Sequence, residues 1–95
     1  MISISIELIG FLQKKLGKKK LQIFLDKSTT IKMLIQRLEF NVSSKTSLFT
    51  DNKDEDIRSS ILILVNGKEI SALNGLNTLL ENDASVTFIP FSHGG

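Results

Sequence analysis

The spacing of the apolar residues, which changes along the chain, constrains the fold more than any other feature. Residues 2–8 alternate isoleucine or leucine with serine or glutamate, and this period of two predicts a half-buried β-strand. Residues 21–25 alternate in the same way after a cluster of lysines at positions 14, 15 and 18–20. We therefore expect two strands that form an antiparallel hairpin.

The period then becomes that of a helix. Apolar side chains at Ile31, Leu34, Ile35 and Leu38 follow the i, i+3, i+4, i+7 spacing of one helical face. Residues 28–30, Ser-Thr-Thr, are of the types that cap a helix N-terminus. The pattern predicts an amphipathic helix of about three turns, with Leu34 and Ile35 packed on the sheet.

The second half of the chain returns to strand patterns. Residues 61–65, ILILV, are continuously apolar, which is typical of a central strand buried on both faces or nearly so. Asn66 and Gly67 follow at once, and this pair favours a type I′ turn because both positions need a positive φ. Residues 68–70 are then expected to begin a short returning strand.

Three further segments complete the predicted order of strand, strand, helix, strand, strand, short segment and strand. Residues 41–60 are predominantly polar and predict a long connection with room for one helical turn. Residues 73–80 contain four leucines and predict a short helical or irregular segment packed on the core. Residues 85–89 alternate again, and Pro90 should end that strand because proline has no N–H for the ladder.

Composition excludes several functional classes. Ninety-five residues without cysteine form one domain with no disulfide, no thiolate metal ligand and no cysteine nucleophile. No apolar run is long enough to cross a bilayer, so we expect no association with membranes. The net charge of +2 is too small to indicate nucleic-acid binding. We therefore interpret the Lys14 to Lys20 cluster as a solvated loop, rather than as a contact to nucleic acid or a site of lysine modification.

The last residues predict a tail. Glycine has no Cβ, so Gly94 and Gly95 can thread a narrow channel and place the terminal carboxylate in another protein's active site. We expect residues 1–90 to form the domain and residues 91–95, which include Ser92, to form a flexible reactive tail. A single histidine without cysteines or a carboxylate cluster makes a poor metal ligand or base, so His93 is expected to serve recognition.

Two stretches of the C-terminal third resemble a known family. ILILVNGKEI, residues 61–70, is similar to the strand and turn of the ubiquitin-like sulfur carriers, and LLENDASVTFIPFSHGG, residues 79–95, is similar to their Val-x-Phe strand and diglycine end. Over nearly its full length the chain resembles the ubiquitin-related modifier, which is related to the molybdopterin-synthase small subunit and the thiamine sulfur carrier. The resemblance implies an α+β fold, the ubiquitin-like β-grasp, in which a mixed sheet of four to five strands packs on one main helix.

The resemblance also implies that Gly95 is a carried group and that the chain is a co-substrate rather than an enzyme. A partner of the ubiquitin-activating (E1-like) type would adenylate Gly95 with ATP, since this sequence has no GxxxxGK[ST] phosphate loop and is expected to bind no cofactor itself. The product would be a thiocarboxylate, which a transfer RNA thiolation enzyme uses to form 2-thiouridine, or an isopeptide bond to target lysines, with a connection to the proteasome pathway. We expect a cytoplasmic monomer.

The residues before the tail are candidates for docking on the activating enzyme. If Val86 and Phe88 face the core, alternation turns Ile89 outward, with Pro90 and Phe91 beyond it. Apolar side chains exposed beside a reactive tail suit a protein interface. The other interpretation of Phe91 is that its ring folds back over an edge of the core.

Two other functions remain open. The first is the small subunit of molybdopterin synthase, although its usual Pro-Pro-Val-x-Gly-Gly ending is absent here. The second is a ubiquitin-like interaction module without a reactive tail, in which the terminal diglycine is incidental.

Overall fold

In the part of the chain that the structure describes, five strands form one mixed β-sheet and two further strands form a small separate sheet. The computed structural model describes residues 1–40, 49 and 56–91. In these residues the strands are β1 (Ile2–Leu8), β2 (Lys20–Leu25), β3 (Thr29–Thr30), β4 (Ile61–Val65), β5 (Lys68–Glu69), β6 (Leu79–Leu80) and β7 (Ala84–Pro90). The helices are α1 (Phe11–Leu16) and α2 (Ile31–Phe40), with 3₁₀ turns at Ile57–Ser59, Ile70–Ala72 and Gly75–Asn77.

The main sheet has the order β2-β1-β7-β4-β5. Strand β7 therefore lies at the centre, parallel to β1 on one side and antiparallel to β4 on the other. Its residue Phe88 is opposite Leu8 on β1 and Ile63 on β4. Because β1 and β7 are parallel, their C-terminal ends lie at the same end of the sheet, where β4 begins.

The core lies between one face of this sheet and α2. Alternate residues of each central strand are buried, as the period of two predicts for a half-covered sheet. The buried apolar side chains of the main sheet and of α2 are Ile4, Ile6, Leu8, Ile61, Ile63, Val65, Ala84, Val86, Phe88, Ile31, Leu34 and Leu38. Ile35 is partly buried against this cluster. We refer to the sheet face that packs on α2 as the inner face and to the opposite one as the outer face.

The predicted helix is confirmed as α2. The hydroxyl of Thr30 accepts a hydrogen bond from the backbone N–H of Met33 at 3.2 Å, which satisfies one of the free donors of the first turn. The N–H of Ile31 donates to the carbonyl of Thr78 at 3.0 Å. The start of α2 is therefore attached to the residues just before β6, which pairs with β3.

The connection between β1 and β2 differs from the predicted hairpin. The two strands are antiparallel as expected, but the six-residue helix α1 lies between them. Leu12 is buried in the core, and Gly17 ends the helix with a φ of 84° in the left-handed region. Gly10, the residue before α1, lies against Pro90, so this helix begins beside the end of β7.

The Asn66-Gly67 turn has the predicted conformation. Asn66 has a φ of 51° and Gly67 a φ of 85°, and β4 and β5 pair antiparallel across the turn. The side-chain carbonyl of Asn66 also accepts a hydrogen bond from the N–H of Ser85 at 2.9 Å, which ties the turn to β7. Together, the five-stranded mixed sheet and α2 form the predicted β-grasp architecture.

No helix in the described ranges is long and apolar enough to cross a membrane. Most of the predicted connection over residues 41–60 lies outside the described residues, and its last part contains the 3₁₀ turn at Ile57–Ser59.

Candidate functional site

The end of β7 and Phe91, which we call the tail base, are held by backbone contacts on both sides of β7. Pro90 is the last residue of the strand, as predicted, and pairs in register with Ile61 of β4. The N–H of Phe91 donates to the carbonyl of Ser60 at 3.0 Å, so the pairing extends into the first residue of the tail. On the other side, the N–H of Ile9 donates to the carbonyl of Phe88 at 3.1 Å. The last contacts before Ser92 are therefore fixed by two separate parts of the chain.

Gly10, the residue before α1, lies against Pro90 at the tail base. Its backbone has φ 64° and ψ −137°, a conformation that residues with a Cβ rarely adopt. A Cβ at this position would stand 3.3 Å from Cγ of Pro90, closer than ordinary van der Waals contact. The glycine thus allows α1 to begin directly against the last residue of β7.

Substitution of Gly10 with alanine is expected to destabilise the fold by about 2 kcal/mol, since it adds backbone strain and a contact with Pro90. Gly17→Ala is the matched control, because Gly17 also has a positive φ but a Cβ added there would meet no atom within 4 Å. That control is expected to cost about 1 kcal/mol. Urea denaturation of the two variants measures both losses. Equal losses would show that Pro90 does not constrain Gly10.

An ion pair between Asp56 and Arg58 stabilises the 3₁₀ turn that precedes Ser60, the residue whose carbonyl binds Phe91. Asp56 caps the 3₁₀ turn, where its Oδ1 accepts from the N–H of Arg58 at 2.8 Å. The Arg58 guanidinium also contacts both carboxylate oxygens, at 3.0 Å from Nε to Oδ1 and 2.6 Å from Nη2 to Oδ2. These side-chain and backbone hydrogen bonds from Arg58 lower the pKa of Asp56 below its ordinary value. Asp56 is therefore a charged cap at neutral pH.

The outer face of the sheet carries an apolar patch beside the tail. Val86 and Phe88 are buried on the inner face, so Ile89 points to the outer face, where it is partly exposed. Ile89 is opposite Leu62 in the pairing of β7 with β4. Leu62 and Leu64 are also partly exposed. We call Leu62, Leu64 and Ile89 the outer patch.

The outer patch explains why residues 61–65 are continuously apolar. The sequence pattern favoured a strand buried on both faces or nearly so, but burial alternates along β4, with its odd-numbered residues buried and its even-numbered residues only partly buried. The even-numbered leucines face the same side as Ile89, because residues opposite each other in a sheet share a face. Their apolar character therefore belongs to a surface next to the tail rather than to a second core.

Two aromatic side chains are exposed at the base of the tail. Phe91 is 53% exposed, so its ring does not fold into the core. Phe11, the first residue of α1, is 43% exposed. Its ring centroid lies 5.4 Å from the Nζ of Lys15, a cation–π contact. Phe11 follows Gly10, which lies against Pro90, so Phe11 and Phe91 are both next to the end of β7.

The predicted reactive residues Ser92, His93, Gly94 and Gly95 lie outside the described residues. Their roles therefore stay predictions, as do the docking roles of Ile89, Pro90 and Phe91, although the structure places these last three beside one another at the tail base. Within residues 1–40, 49 and 56–91, no three acidic or histidine side chains come together as metal ligands.

Sequence patterns did not indicate several residues of this base. Ser60 and Gly10 contribute through backbone geometry to partners distant in the chain, and neither residue type carries a local signal for such a contact. Leu62 and Leu64 did carry a signal, because a strand of a sheet with one exposed face normally alternates. An uninterrupted apolar strand is therefore also compatible with an exposed apolar face.

A family model covers almost the whole chain. The model of the ubiquitin-related modifier, Urm1, matches residues 3–95, which includes the terminal diglycine. The chain belongs to the ubiquitin-related modifier family. No protein with a curated description matches the sequence significantly. The family is one of ubiquitin-like sulfur carriers, as the sequence motifs predicted.

Solved structures share the fold of this chain. It is similar to the Urm1 protein of Trypanosoma brucei, with a TM-score of 0.79 and 28% identity over 98% of this chain and 95% of that one. The small archaeal modifier protein 1 of Methanosarcina acetivorans has a TM-score of 0.74 and 24% identity, over 100% of this chain and 98% of that one. A chain of the Amycolatopsis orientalis BexX/CysO complex has a TM-score of 0.73 and 18% identity, over 97% and 99%. The last two likenesses show the fold alone, and all three agree with the predicted ubiquitin-like β-grasp.

Proposed function

We propose that this modifier is a sulfur carrier and protein modifier whose reactive group is the carboxylate of Gly95. An E1-like partner enzyme adenylates that carboxylate with ATP. The activated carbonyl is then converted to a thiocarboxylate that supplies sulfur for 2-thiouridine in transfer RNA, or it is joined to lysines of target proteins. The modifier itself acts as a co-substrate.

The chemistry assigns the catalytic groups to the partner. The Gly95 carboxylate attacks the α-phosphate of ATP, which forms the acyl-adenylate and releases pyrophosphate. A persulfide sulfur of the partner then attacks the carbonyl carbon and displaces AMP, and a second thiol cleaves the resulting S–S bond to leave the thiocarboxylate. With no cysteine of its own, this chain supplies neither the persulfide nor the thiol. In conjugation, a lysine amine takes the place of the sulfur nucleophile and forms an amide.

The observation that carries the proposal is that the family match extends through Gly95. The geometry of the tail base supports it. Phe91 is hydrogen-bonded to Ser60, and Pro90 is held between Ile61 and Gly10. A defined starting point for a short tail reduces the conformational entropy that is lost when the terminus enters an active site. The outer patch beside it is an apolar surface on which the activating enzyme docks.

Intact-mass measurement tests the proposed chemistry. Protein purified from its native host is expected to include a fraction in which one oxygen of the terminal carboxylate is replaced by sulfur, or to be found attached through Gly95 to lysines of other proteins. Adenylation by the cognate activating enzyme, followed as pyrophosphate release, is the second measurement. A chain with neither product and no pyrophosphate release would be an interaction module without a reactive tail.

Deletion of the gene separates the two sulfur-carrier functions. We expect the loss of 2-thiouridine from transfer RNA while molybdenum-cofactor enzymes remain active. The opposite result, with cofactor lost and transfer RNA thiolation intact, would identify the molybdopterin-synthase subunit instead.

The substitution Ile89→Asp is expected to raise the KM of the activating enzyme for the modifier by about tenfold or more, because it places a charge in the centre of an apolar contact. Ser85→Asp is the matched control, since Ser85 is exposed on the same face of β7 at its other end. Steady-state pyrophosphate release measures both variants, and circular dichroism checks their folding. An unchanged KM for Ile89→Asp would place docking on another surface.

A further inference from the structure

Among the described residues, strand β2 forms one edge of the main sheet. The opposite edge, β5, has two residues, whereas β2 has six. Within the described part of the chain, no strand pairs with the side of β2 that faces away from β1. Its pairing with β1 runs without a bulge from Ile2 opposite Leu25 to Glu7 opposite Lys20, and the strand contains no proline. β2 thus lacks the bulge and the proline that commonly protect sheet edges.

The hydrogen-bond pattern shows which backbone groups of β2 are available. The N–H of Leu8 donates to the carbonyl of Lys19 at 2.8 Å. Because hydrogen-bonded pairs alternate in an antiparallel ladder, the next groups directed at β1 belong to residues 21, 23 and 25. The N–H and C=O groups of Lys20, Gln22 and Phe24 therefore point away from the sheet. They form a row to which an extended segment can add as a sixth strand.

Both faces of this edge offer apolar contacts to an added strand. Phe24 lies on the outer face and is 58% exposed. On the inner face, Leu21, Ile23 and Leu25 are only partly buried, although they pack against the core. An added strand would cover the remaining exposed area of this inner row with its own alternate side chains.

The charges at the two ends of β2 define the chemistry of the added strand. Lys18, Lys19 and Lys20 are consecutive and exposed at its beginning. At the other end, Asp26 is followed by Lys27, and both are exposed. Glu7 of β1 is opposite Lys20, so the first end keeps a net positive charge of two, whereas the second end is nearly neutral. This difference favours a partner segment with acidic residues beside the three lysines.

We propose that β2 binds an extended segment of a partner protein, which adds antiparallel to the free edge and consists of alternating apolar residues followed by acidic residues. In the antiparallel orientation, the C-terminal end of the segment lies beside Lys18, Lys19 and Lys20. Backbone hydrogen bonds to Lys20, Gln22 and Phe24 supply affinity, and the lysines supply selectivity. The proposal does not rest on the chemistry at Gly95.

A second copy of the chain fits this edge less well. In a symmetric antiparallel pair centred on Ile23, Lys20 would face Asp26 of the other copy, but Lys19 would face Lys27. Each end of the pair would thus bring together four lysines and one aspartate, a net repulsion. An acidic segment turns the same lysines into attractive contacts.

Titration with a synthetic peptide tests the proposal on the full chain. The probe is the acetylated peptide Val-Thr-Ile-Thr-Val-Asp-Asp-Glu, and the control peptide ends in Lys-Lys-Lys instead. At saturation, hydrogen exchange at the amides of Lys20, Gln22 and Phe24 is expected to slow by about tenfold or more, because these N–H groups gain partners. The amides of Leu21 and Ile23, already bonded to β1, should change little. This alternation along one strand distinguishes strand addition from general contact.

A charge reversal tests the role of the lysines. Lys19→Glu is expected to lower the affinity for the acidic peptide by about fivefold, because an exposed attractive charge pair becomes repulsive. The same substitution should raise the affinity for the basic control peptide. Lys68→Glu on β5, at the opposite edge, has the same charge change and should leave both affinities unchanged.

Three results would overturn the proposal. The first is the absence of any amide change at millimolar acidic peptide. The second is equal binding of the acidic and basic peptides. The third is slowed exchange at Lys20, Gln22 and Phe24 that depends on protein concentration without peptide, which would show that the edge pairs with a second copy.

Discussion

Deletion of Gly95 is expected to abolish both thiocarboxylate formation and conjugation, with product falling below detection. Under the proposed function, the Gly95 carboxylate is the group that attacks ATP. The shortened chain ends in a carboxylate on Gly94, which sits one residue short of the active site. An extended residue spans about 3.3–3.6 Å, far more than the misplacement of about 1 Å that already slows catalysis strongly. Pyrophosphate release and intact-mass analysis measure the loss.

The fold should not change in the same variant, and this is its internal control. The last described contact of the chain is the hydrogen bond from Phe91 to Ser60, which does not involve Gly95. Amide spectra of residues 1–91 are therefore expected to match those of the full chain, with an unchanged melting temperature. Appending one alanine after Gly95 keeps every native residue and should have the same effect on activation. Sulfur transfer retained by either variant would refute Gly95 as the carried group.

The elements that the sequence predicted well are those whose secondary structure follows from the local pattern of side chains. Strand β1 alternates strictly, α2 has a full helical stripe, and the turn after β4 contains Asn-Gly, a dipeptide that suits two positive φ angles. In β1 and α2, one face is buried and the other is exposed, so the hydrophobic period and the backbone period agree.

The elements that it missed depend on partners elsewhere in the chain. Helix α1 has six residues and one fully buried side chain, Leu12, too few for a reliable helical period. Strands β3 and β6 have two residues each, and β3 falls on Thr29 and Thr30, which local rules interpret as helix caps. Thr30 serves both purposes, because it caps α2 with its side chain and pairs with Leu79 through its backbone.

The candidate site shows the same division. The end of β7 and the outward direction of Ile89 follow from alternation and from Pro90, and both agree with the structure. The contacts of Gly10 and Ser60 with the tail base arise from the parallel pairing of β1 with β7 and from the position of β4. Pairing between strands so distant in sequence depends on the whole topology, which no local pattern encodes.

Replacement of Phe88 with alanine is expected to lower the free energy of unfolding by about 3–5 kcal/mol, the largest loss we expect from a single side chain. Phe88 is fully buried on the central strand, with Leu8 and Ile63 opposite it on the two neighbouring strands. Its ring centroid is 4.7 Å from that of Phe49, at an interplanar angle of 38°. Alanine removes this aromatic contact and leaves a cavity that two paired strands prevent from closing.

Urea denaturation measures the loss, and Phe24→Ala is the matched control because its ring is 58% exposed at the sheet edge. The control should change stability by less than about 0.5 kcal/mol. In a domain of this size, a loss of 1 kcal/mol lowers the melting temperature by about 4–8 °C. Phe88→Ala is therefore also expected to lower the melting temperature by about ten degrees or more, a large change for a domain stable by only about 5–15 kcal/mol. Where the variant is still folded, its rate of adenylation per folded molecule should be close to native, because Pro90 and Phe91 keep their backbone partners. A loss of adenylation that exceeds the unfolded fraction would instead show that packing at Phe88 positions the tail.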